Sequence, residues 1–464
     1  MRWVYDKSTS RYRSAPIVQH RGAVCRCLTG PSRMWKYSLP VVLVLLLAYT
    51  VFSVQLQWRS VTWRQPRRAG KETSTSKVLQ TTQRGKYDAI DNTSRSWTTV
   101  ESGSTTHSHR TIVQTVRPTG ASNCVTHTSI AFIKVHKCGS TTLQRSFLRF
   151  GFTHRLNVAL PRGRDSPTIG HDGLITRDDY EPSPGGARWD LFAHHGTYNR
   201  TQLLQLMKKD TKFITVLREP VSRLLSAFHY FRMERYFPGL MNETGQGSPV
   251  VTYLDDVKKW NSVYVPPKDR DFADHICIRN CMSRDLGLPE EDFDNRTAID
   301  KFIRGIERDF SLVMILEHLD QSLILLRRRM CWLFEDIIYD NLYWSRKARY
   351  RKRDVITEDR RQNFIEENYA DYLLYKHFKT VLLDIIKKEG KDFDPELQHF
   401  KRINAVIGRN CHTVTRPKSF ILGPSQWNQR IRIYNHFCTL IRQEREFWDK
   451  MFRKRYKAMK KTIH

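Results

Sequence analysis

Short apolar runs that lead into helical periodicity recur in the middle of the chain. The run 129–135, SIAFIKV, is apolar and rich in β-branched residues. Apolar residues after it recur with the i, i+4, i+7 spacing of one helix face, at Leu143, Phe147 and Phe150. The run 212–217, KFITVL, precedes a second helical pattern, in which Pro220 suits the first turn. Each run therefore predicts a strand followed by a helix.

A third apolar run, WDLFA at 189–193, ends at His194 and His195. Alternation of such strands with helices predicts an α/β fold, in which a parallel sheet is flanked by helices on both faces. Ligands of such sheets bind beyond the carboxyl ends of the strands. The polar residues that follow the three runs are therefore expected to meet at one site.

The chain beyond residue 296 has mainly helical periodicity. Apolar residues recur at helical spacing in 297–310 and in 367–390, and the second stretch ends in two lysines and Gly390, which indicate a helix stop. We predict a helical C-terminal part.

An uncharged apolar segment lies near the start of the chain. Residues 39–56 contain no charged side chain over about the length that crosses a bilayer core. A cleaved signal peptide has a shorter apolar centre. We therefore predict a transmembrane signal anchor at 39–57, behind a cytoplasmic tail at 1–38. Basic residues flank both ends of the anchor, so charge does not set its orientation.

The segment after the anchor has the composition of a linker. Residues 71–110 include 16 Ser and Thr among 40 positions and few large apolar residues. Such a segment buries too little apolar surface to fold. We interpret 58–123 as a flexible stem and 124–464 as the folded head that it carries, a lumenal stem and head by the sequons below.

N-glycosylation sequons set the orientation. The motif N-x-[ST] occurs only after the apolar segment, at Asn92, Asn199, Asn242 and Asn295. We expect these asparagines to carry glycans, because a lumenal head is exposed to the glycosylation machinery. The prediction is a single-pass type II membrane protein of the secretory pathway.

The chain is strongly basic, with a formal net charge of +31. Such a balance first suggests nucleic acid as a partner. The predicted secretory address argues against nucleic acid and favours an anionic cofactor, a glycan or a membrane surface. The basic runs 346–354 and 452–464 are expected to be solvated faces, with contact to phospholipid or acidic glycan as the alternative.

Cysteine usage fits an oxidising compartment. Cys25 and Cys27 precede the apolar segment, and an odd number of cysteines follows it, so one lumenal thiol is predicted to be free. We assign that thiol to Cys138. The other six are expected to form disulfides, with the pairing open: Cys124, Cys277, Cys281, Cys331, Cys411 and Cys438. Cys277 and Cys281 lack a second close Cys or His pair, so we predict no metal site.

The stretch FIKVHKCGSTTLQ, residues 132–144, has the residue types of an anion-binding turn. The N–H groups and partial positive charge of a helix start attract anions. Gly139 permits close approach of the backbone. Further donors and charges are Lys134, Lys137, Ser140, Thr141 and Thr142. The G-x-x-x-x-G-K-[ST] order of an ATP or GTP site is missing, and no strand-ending Asp suits Mg²⁺.

A second anion-binding element is predicted in TVLREPVSRLLSAFHYF, residues 215–231. Arg218 ends the predicted strand, and Ser226 lies two turns into the helix that follows. The planar guanidinium of arginine suits phosphate. Together with the first loop, this element predicts a ligand that carries two separate phosphates.

These two elements resemble a known family. IKVHKCGSTT resembles the 5′-phosphosulfate loop of sulfotransferases that use PAPS (adenosine 3′-phosphate 5′-phosphosulfate), and VLREPVSRLLSAFHYF resembles their 3′-phosphate-binding strand and helix. The wider stretches FIKVHKCGSTTLQRSFLRFGFTHRLNVALPRG, FITVLREPVSRLLSAFHYF and YADYLLYKHF are similar to the galactose 3-O-sulfotransferases, which include the Golgi galactosylceramide sulfotransferase. The resemblance runs from about residue 129 to 390.

The resemblance implies a P-loop-like sulfotransferase fold and sulfuryl transfer from PAPS to the 3-hydroxyl of a galactose, without a metal. It implies that Lys137 stabilises the leaving oxygen and that Arg218 and Ser226 bind the 3′-phosphate. The surrounding loop matches at Lys134, His136, Gly139, Ser140, Thr141 and Thr142. The family often has Thr where this chain has Cys138, so only a backbone contact is expected to persist at that position.

The acceptor hydroxyl needs a general base, and histidine has a suitable pKa. His195 ends the middle strand and matches a histidine of the galactose branch, so it is the favoured base. His136 and His194 are the alternatives.

Two other classes of function stay open. One is a Mg²⁺-dependent P-loop kinase, and the other is a catalytically silent lumenal protein that binds glycans. The resemblance implies a Golgi membrane location and a galactose-terminated glycolipid or glycoprotein acceptor, and it leaves a homodimer open. Residues 160–187 are expected to line the acceptor pocket.

Overall fold

The computed structural model of the chain describes residues 124–163, 166–171, 173–268, 275–340, 354–413 and 418–463. The predicted tail, anchor and stem lie outside these residues, as do Asn92 and nearly all of the basic run 346–354. Among the helices of the described ranges, none is both long enough and apolar enough to cross a membrane.

Four parallel strands form one sheet in the order β2-β1-β3-β4. The strands are β1 (Ile130–Ile133), β2 (Leu191–Phe192), β3 (Lys212–Leu217) and β4 (Phe310–Ile315). Ile130 pairs with Leu191 on one side and with Lys212 on the other. Every residue of β1 is buried, as expected for a parallel strand covered on both faces. The α/β prediction is confirmed.

The middle strand is shorter than the run 189–193 predicts. Only Leu191 and Phe192 belong to β2, and Trp189 instead forms an isolated bridge with Met207. Asp190 turns its carboxylate to the backbone N–H of Asn157, 2.8 Å away. The contacts of Trp189 and Asp190 therefore shorten the strand, and the periodicity of the sequence does not show them. A separate antiparallel hairpin is formed by β5 (Ser419–Leu422) and β6 (Ile431–Tyr434).

The helices surround the sheet and extend through the C-terminal part. In chain order they are α1 (Ser140–Thr153), α2 (Arg200–Leu206), α3 (Pro220–Phe231), α4 (Leu240–Thr244), α5 (Pro249–Asp255), α6 (Val257–Ser262), α7 (Cys281–Asp285), α8 (Arg296–Asp309), α9 (Leu319–Met330), α10 (Phe334–Ile337), α11 (Glu358–Glu367), α12 (Tyr369–Lys388), α13 (Phe393–His412), α14 (Asn435–Leu440) and α15 (Arg445–Ile463). Short 3₁₀ turns lie at Pro184–Gly186, Met233–Tyr236, Glu290–Asp292 and Leu316–His318.

The first helix packs as its spacing predicts. Leu143, Phe147 and Phe150 are all buried. The ring of Phe147 stacks on Phe132 of β1 with centroids 4.7 Å apart, which joins the helix to the sheet. The helix after β3 also begins as predicted, since Pro220 is its first residue. Its N-cap is Glu219, whose carboxylate accepts hydrogen bonds from the N–H groups of the first turn.

The C-terminal part is mainly helical, as predicted, but its strands β4, β5 and β6 were not predicted, and two element ends differ. The stretch 297–310 ends as a helix at Asp309, and Phe310 already begins β4. The stretch 367–390 contains a break at Asn368, between α11 and α12. The side-chain oxygen of Asn368 accepts the N–H of Asn280 at 2.9 Å, so a tertiary hydrogen bond explains the break.

Three disulfides and one free thiol account for the cysteines of the described residues. The pairs are Cys124–Cys331, Cys277–Cys281 and Cys411–Cys438, and the free cysteine is Cys138. The predicted disulfides and the assignment of the free thiol are confirmed. Because Cys277 and Cys281 are bonded to each other, they are not metal ligands.

Candidate active site

The predicted anion loop connects β1 to α1. Gly139, at the N-cap of α1, has a φ of 78°, a left-handed conformation that glycine adopts without strain. Glycine also offers no side-chain oxygen to the N–H groups of the first turn, so no side chain caps them. The Ser140 hydroxyl donates to the carbonyl of Val135 at 2.7 Å and closes the turn. Thr141 is exposed beside it, whereas Thr142 is buried.

The two predicted phosphate-binding elements meet in space. The guanidinium of Arg218 donates to the backbone carbonyl of Lys137 at 3.0 Å, across 81 positions. Arg223, one turn into α3, donates to the carbonyl of His136 at 3.4 Å. Both arginines are almost fully buried. They hold the outer turn of the loop against the carboxyl end of β3, and Lys137 is fixed there with a positive φ of 64°.

The side chain of Lys137 points along the face of α3. Its ammonium lies 3.2 Å from the centroid of the Tyr230 ring, a cation–π contact, and the Tyr230 side chain is largely exposed. Ser226 is half-buried on the same helix, one turn before Tyr230, so the two residues share a face. The Lys137 ammonium and Ser226 therefore lie along the same helix, which begins two residues after Arg218.

A cluster of three histidines lies on the other side of the loop. The His136 and His195 rings stack with centroids 4.0 Å apart, and His195 lies 5.1 Å from the ring of His275. The Nε2 atom of His136 is 2.7 Å from Nδ1 of His275. One ring nitrogen from each histidine lies within 4.8 Å of the others. These rings line a cavity together with Lys134, Arg284 and Asp285.

Asp285 orients the loop histidine. One carboxylate oxygen accepts both the backbone N–H of His136, at 2.7 Å, and its ring Nδ1–H, at 2.8 Å. Burial alone would raise the pKa of Asp285, but the His136 ring and Arg284 hold it below its usual value. Asp285 is therefore an anion beneath the histidine cluster, and its bond to Nδ1 directs Nε2 of His136 into the cavity.

Burial also changes the two basic groups that face this cavity. Desolvation, with the charges of Arg445 and Lys137, lowers the pKa of Lys134 to about 7. Desolvation, with the neighbouring His136 and Lys134, holds the pKa of His195 well below its usual value. The Nδ1 atom of His195 is buried and has no hydrogen-bond partner among the described residues. His195 is therefore a neutral imidazole in the folded protein.

His194 has a different role from its neighbour. Its ring is fully buried, and Nε2 lies 2.9 Å from the carboxylate of Asp449 on α15. Arg445, also on α15, donates to Asp449 at 2.6 Å and to the carbonyl of Ser166 at 3.0 Å. The His194 ring is held in this buried network and is not among the residues that line the cavity, so the structure favours His195 over His194 as the candidate base.

The segment before residue 171 forms a wall beside His195. His195 donates its backbone N–H to the carbonyl of Pro167 at 3.0 Å, and its carbonyl accepts the N–H of Ile169 at 2.8 Å. Thr168 and Gly170 line the same cavity. Part of the predicted pocket segment 160–187 is therefore at the site.

Three residues of this site have no motif in the sequence that identifies them. They are His275, Asp285 and Asp449. Each reaches the loop or the middle strand from a distant segment. The disulfide Cys277–Cys281 ends at the first residue of α7 and restrains the backbone near Asp285.

The predicted glycan acceptors in the described residues lie at helix ends or on the surface. Asn199 and Asn295 are the N-caps of α2 and α8, and each side-chain oxygen accepts a backbone N–H at 3.2 Å. Asn242 is exposed in α4. A cap of this kind uses the amide oxygen and leaves the nitrogen, the atom that carries a glycan, pointing away. Glycosylation stays a prediction.

Comparison with known proteins places the chain in a defined group. A family model described as Galactose-3-O-sulfotransferase matches residues 41–415. The chain is 30% identical over 275 residues to galactosylceramide sulfotransferase of Homo sapiens, which covers 59% of this chain and 61% of the relative. It is 30% identical over 270 residues to galactose-3-O-sulfotransferase 2 of Homo sapiens, covering 56% and 62%. With galactose-3-O-sulfotransferase 3 of Mus musculus it shares 29% over 322 residues, covering 67% and 71%. The chain thus spans roughly three fifths of the length of the first two relatives.

Proposed function

Because this chain belongs to the galactose-3-O-sulfotransferase family, we propose that it transfers a sulfuryl group from PAPS to the 3-hydroxyl of a galactose on a glycolipid or glycoprotein. The observation that carries the proposal is the hydrogen bond from Arg218 to the carbonyl of Lys137. This contact brings the two anion-binding elements close enough to hold one molecule with two separate phosphate groups.

The donor site consists of residues that fit such a molecule. The 5′-phosphosulfate would bind at the start of α1, where Gly139 leaves the N–H groups of the first turn uncapped. Lys137 adds a positive charge beside that turn. The 3′-phosphate would bind at Arg218, just before the helix that follows β3, and at Ser226, two turns into that helix. Cys138 contributes only its backbone, since its buried thiol contacts the carbonyl of His136.

PAPS supplies a sulfuryl group whose transfer forms a bond from the acceptor oxygen to sulfur and breaks the bond from sulfur to the phosphate oxygen. Lys137 stabilises the negative charge that develops on that leaving oxygen. His195 accepts the proton of the acceptor hydroxyl, because it lines the cavity next to the loop and one of its ring nitrogens has no other partner. His136 is held by Asp285 and shapes the wall between them.

The acceptor and the location follow from the family and the sequence. The named relatives act on galactosylceramide or galactose, and the cavity beside His195 offers polar groups for a sugar, including Thr168 and Arg284. We place the protein in the Golgi membrane, anchored by 39–57 with residues 124–464 in the lumen, on the basis of the apolar segment and the sequons.

A sulfation assay tests the proposal. The purified protein is given PAPS labelled in the sulfuryl group and a panel of glycolipid and glycoprotein β-galactosides. The expected product is a galactose sulfated at C3, formed also in the presence of EDTA. A Mg²⁺-dependent kinase would instead need ATP and would stop in EDTA. Failure to sulfate any galactoside would refute the proposal.

A variant separates the base from the donor site. His195→Ala is expected to lose turnover and still be stabilised thermally by adenosine 3′,5′-bisphosphate, since ligand binding to the native state raises stability. Full turnover in His195→Ala would remove His195 from the mechanism. Stabilisation by the bisphosphate also argues against a silent glycan-binding protein.

A further inference from the structure

We propose that His136, His195 and His275 form a binding site for one divalent transition-metal ion of the zinc type, and that the bound ion inhibits the enzyme. The three imidazoles come from the anion loop, from the end of β2 and from the segment before α7. The ion is not a cofactor of the reaction. Only its inhibitory effect rests on the proposed function, because the site itself is defined by the three rings.

The ring nitrogens are close enough for one ion to bind all three. One nitrogen from each ring lies within 4.8 Å of the others, and His136 Nε2 and His275 Nδ1 are 2.7 Å apart. A tetrahedral ion with bonds of about 2.0–2.1 Å needs nitrogens about 3.3 Å apart. The lone pairs of an imidazole lie in the plane of its ring, so the ion requires the His136 and His195 rings, now stacked 12° from parallel, to rotate out of their stack.

Asp285 lies where a metal-binding histidine commonly has its hydrogen-bond partner, at the ring nitrogen that does not face the ion. It accepts the Nδ1–H of His136 at 2.8 Å, which fixes the tautomer and leaves the Nε2 lone pair directed at the cluster. Histidines that bind metals usually donate their other nitrogen to a carboxylate in this way. The buried carboxylate also supplies negative charge close to the ion.

His195 provides an independent sign that a ligand belongs here. Its Nδ1 atom is buried and unpartnered among the described residues, and such buried nitrogens are normally satisfied. Three nitrogens without a carboxylate in direct contact with the ion favour Zn²⁺, Co²⁺ or Ni²⁺ over Mg²⁺, which prefers oxygen. Lys134 and Arg284 line the same cavity and oppose a bound cation, and the Asp285 carboxylate beneath His136 offsets their charge.

The chemical consequence is a competition for His195. A lone pair that coordinates a metal ion cannot accept the proton of a sugar hydroxyl. The ion would also tie His136 to His275 and narrow the cavity in which the acceptor binds. Zinc is therefore expected to lower the sulfation rate, and a chelator is expected to restore it.

Binding is tested on the full chain without a polyhistidine tag, because such a tag would itself bind the ion. The chelator-treated protein is titrated with ZnCl₂ by calorimetry and with CoCl₂ by visible absorption. We expect one ion per chain and the visible bands of cobalt bound by nitrogen. His275→Ala and His195→Ala should each lose this binding, and Asp285→Asn should weaken it by about 10- to 100-fold.

His171→Ala is the matched control, since His171 lines the same cavity but is not one of the three ligands. Its zinc affinity should equal that of the unaltered chain. Circular dichroism of each variant shows whether it is folded. His275→Gln, which keeps a polar side chain of similar reach, is the second variant if His275→Ala does not fold.

The outcomes are distinct. No stoichiometric binding to the unaltered chain, or equally tight binding to folded His275→Ala or His275→Gln, would overturn the site. Zinc binding without any loss of sulfation would overturn the inhibition and keep the site. If the chain sulfates no galactoside at all, the titrations still decide the metal site, so failure of the proposed function is recognised separately.

Discussion

The imidazole of His194 and the carboxylate of Asp449 lie 2.9 Å apart, although 255 positions separate them in the chain. Both groups are buried. The contact joins α15 to the residue next to His195, and Arg445 extends it to the carbonyl of Ser166 on the cavity wall. Asp449 and Arg445, both within the first turn and a half of α15, thus hold two segments of the site. One is the end of β2, at His194, and the other is the cavity wall, at Ser166. The matched family region ends at residue 415, before this helix begins.

Asp449→Asn is expected to weaken both stability and turnover. Burial alone would raise the pKa of Asp449, but the His194 ring and Arg445 hold that pKa below its usual value. The native carboxylate is therefore a paired anion. Removing one member of a buried charge pair costs about 3 kcal/mol. A small displacement of His195 lowers kcat by about 10- to 100-fold. Urea unfolding and sulfation kinetics measure the two effects.

The control for that variant is Asp300→Asn, which removes an exposed carboxylate paired with Arg296 on α8. Its stability should change by less than about 1 kcal/mol. If Asp449→Asn loses stability but keeps the kcat and KM of the unaltered chain, the α15 contact supports the fold and does not position His195.

Lys137→Ala is expected to lower kcat by about 100- to 1000-fold, because it removes the donor that we propose stabilises the leaving oxygen. Binding of adenosine 3′,5′-bisphosphate should fall much less, since Arg218 and the start of α1 remain. Single-turnover rates and calorimetry separate the two quantities. Lys209→Ala, at an exposed surface lysine, is the control. Similar turnover in both variants would remove Lys137 from the reaction.

Glu335→Gln is expected to stabilise the protein at neutral and alkaline pH. Burial, reinforced by Asp336, raises the pKa of Glu335 to about 7, and one of its carboxylate oxygens has no partner among the described residues. Between its ordinary value, near 4.5, and 7 the native state binds a proton that the unfolded state has released. Stability contributed by this group therefore falls as pH rises through that window.

The size of that effect is up to about 3 kcal/mol, reached above pH 7. Below pH 4.5 the Glu335 carboxyl is protonated in both the native and the unfolded state, so Glu335→Gln and the unaltered chain should be equally stable. Urea unfolding at pH 5, 6, 7 and 8 gives the difference at each pH. A difference that does not grow with pH would show that Glu335 is not a buried acid of this kind.

Cys138 is expected to be unreactive in the native protein. Burial raises the pKa of its thiol above the usual value, and the side chain has no exposed area. Iodoacetamide should label the peptide that contains Cys138 only after unfolding, as peptide mass spectrometry can show. Cys138→Ser should keep most of its turnover, because the thiol makes only a 3.6 Å contact with the carbonyl of His136. Rapid labelling of the folded chain would contradict this prediction.

Much of the fold could be read from local patterns. The spacing of Leu143, Phe147 and Phe150 identified the buried face of α1, and Pro220 identified the start of α3. The odd number of cysteines identified a free thiol, and Cys138 is that thiol. These features depend on residues a few positions apart, or on a simple count, so the sequence contains them directly.

The anion loop and the Arg218 element were also found in this way, because each is a short strand-to-helix turn with its own residue types. The partners that those turns contact in the folded chain could not be predicted from the sequence. Asp285 reaches the His136 ring across 149 positions, and His275 reaches it across 139. Contacts of that kind leave no periodic pattern in a single sequence.

By itself the sequence determined three of the four strands of the parallel sheet, the helices that follow β1 and β3 and the two turns that supply positive charge, because helix and strand periodicity and turn chemistry are local. Only the tertiary structure decided that His195 faces a cavity, whereas His194 is buried against Asp449, although the two are adjacent in the chain. The reason is that neighbouring side chains at a strand end point in opposite directions, and the packing of distant helices determines what each one meets.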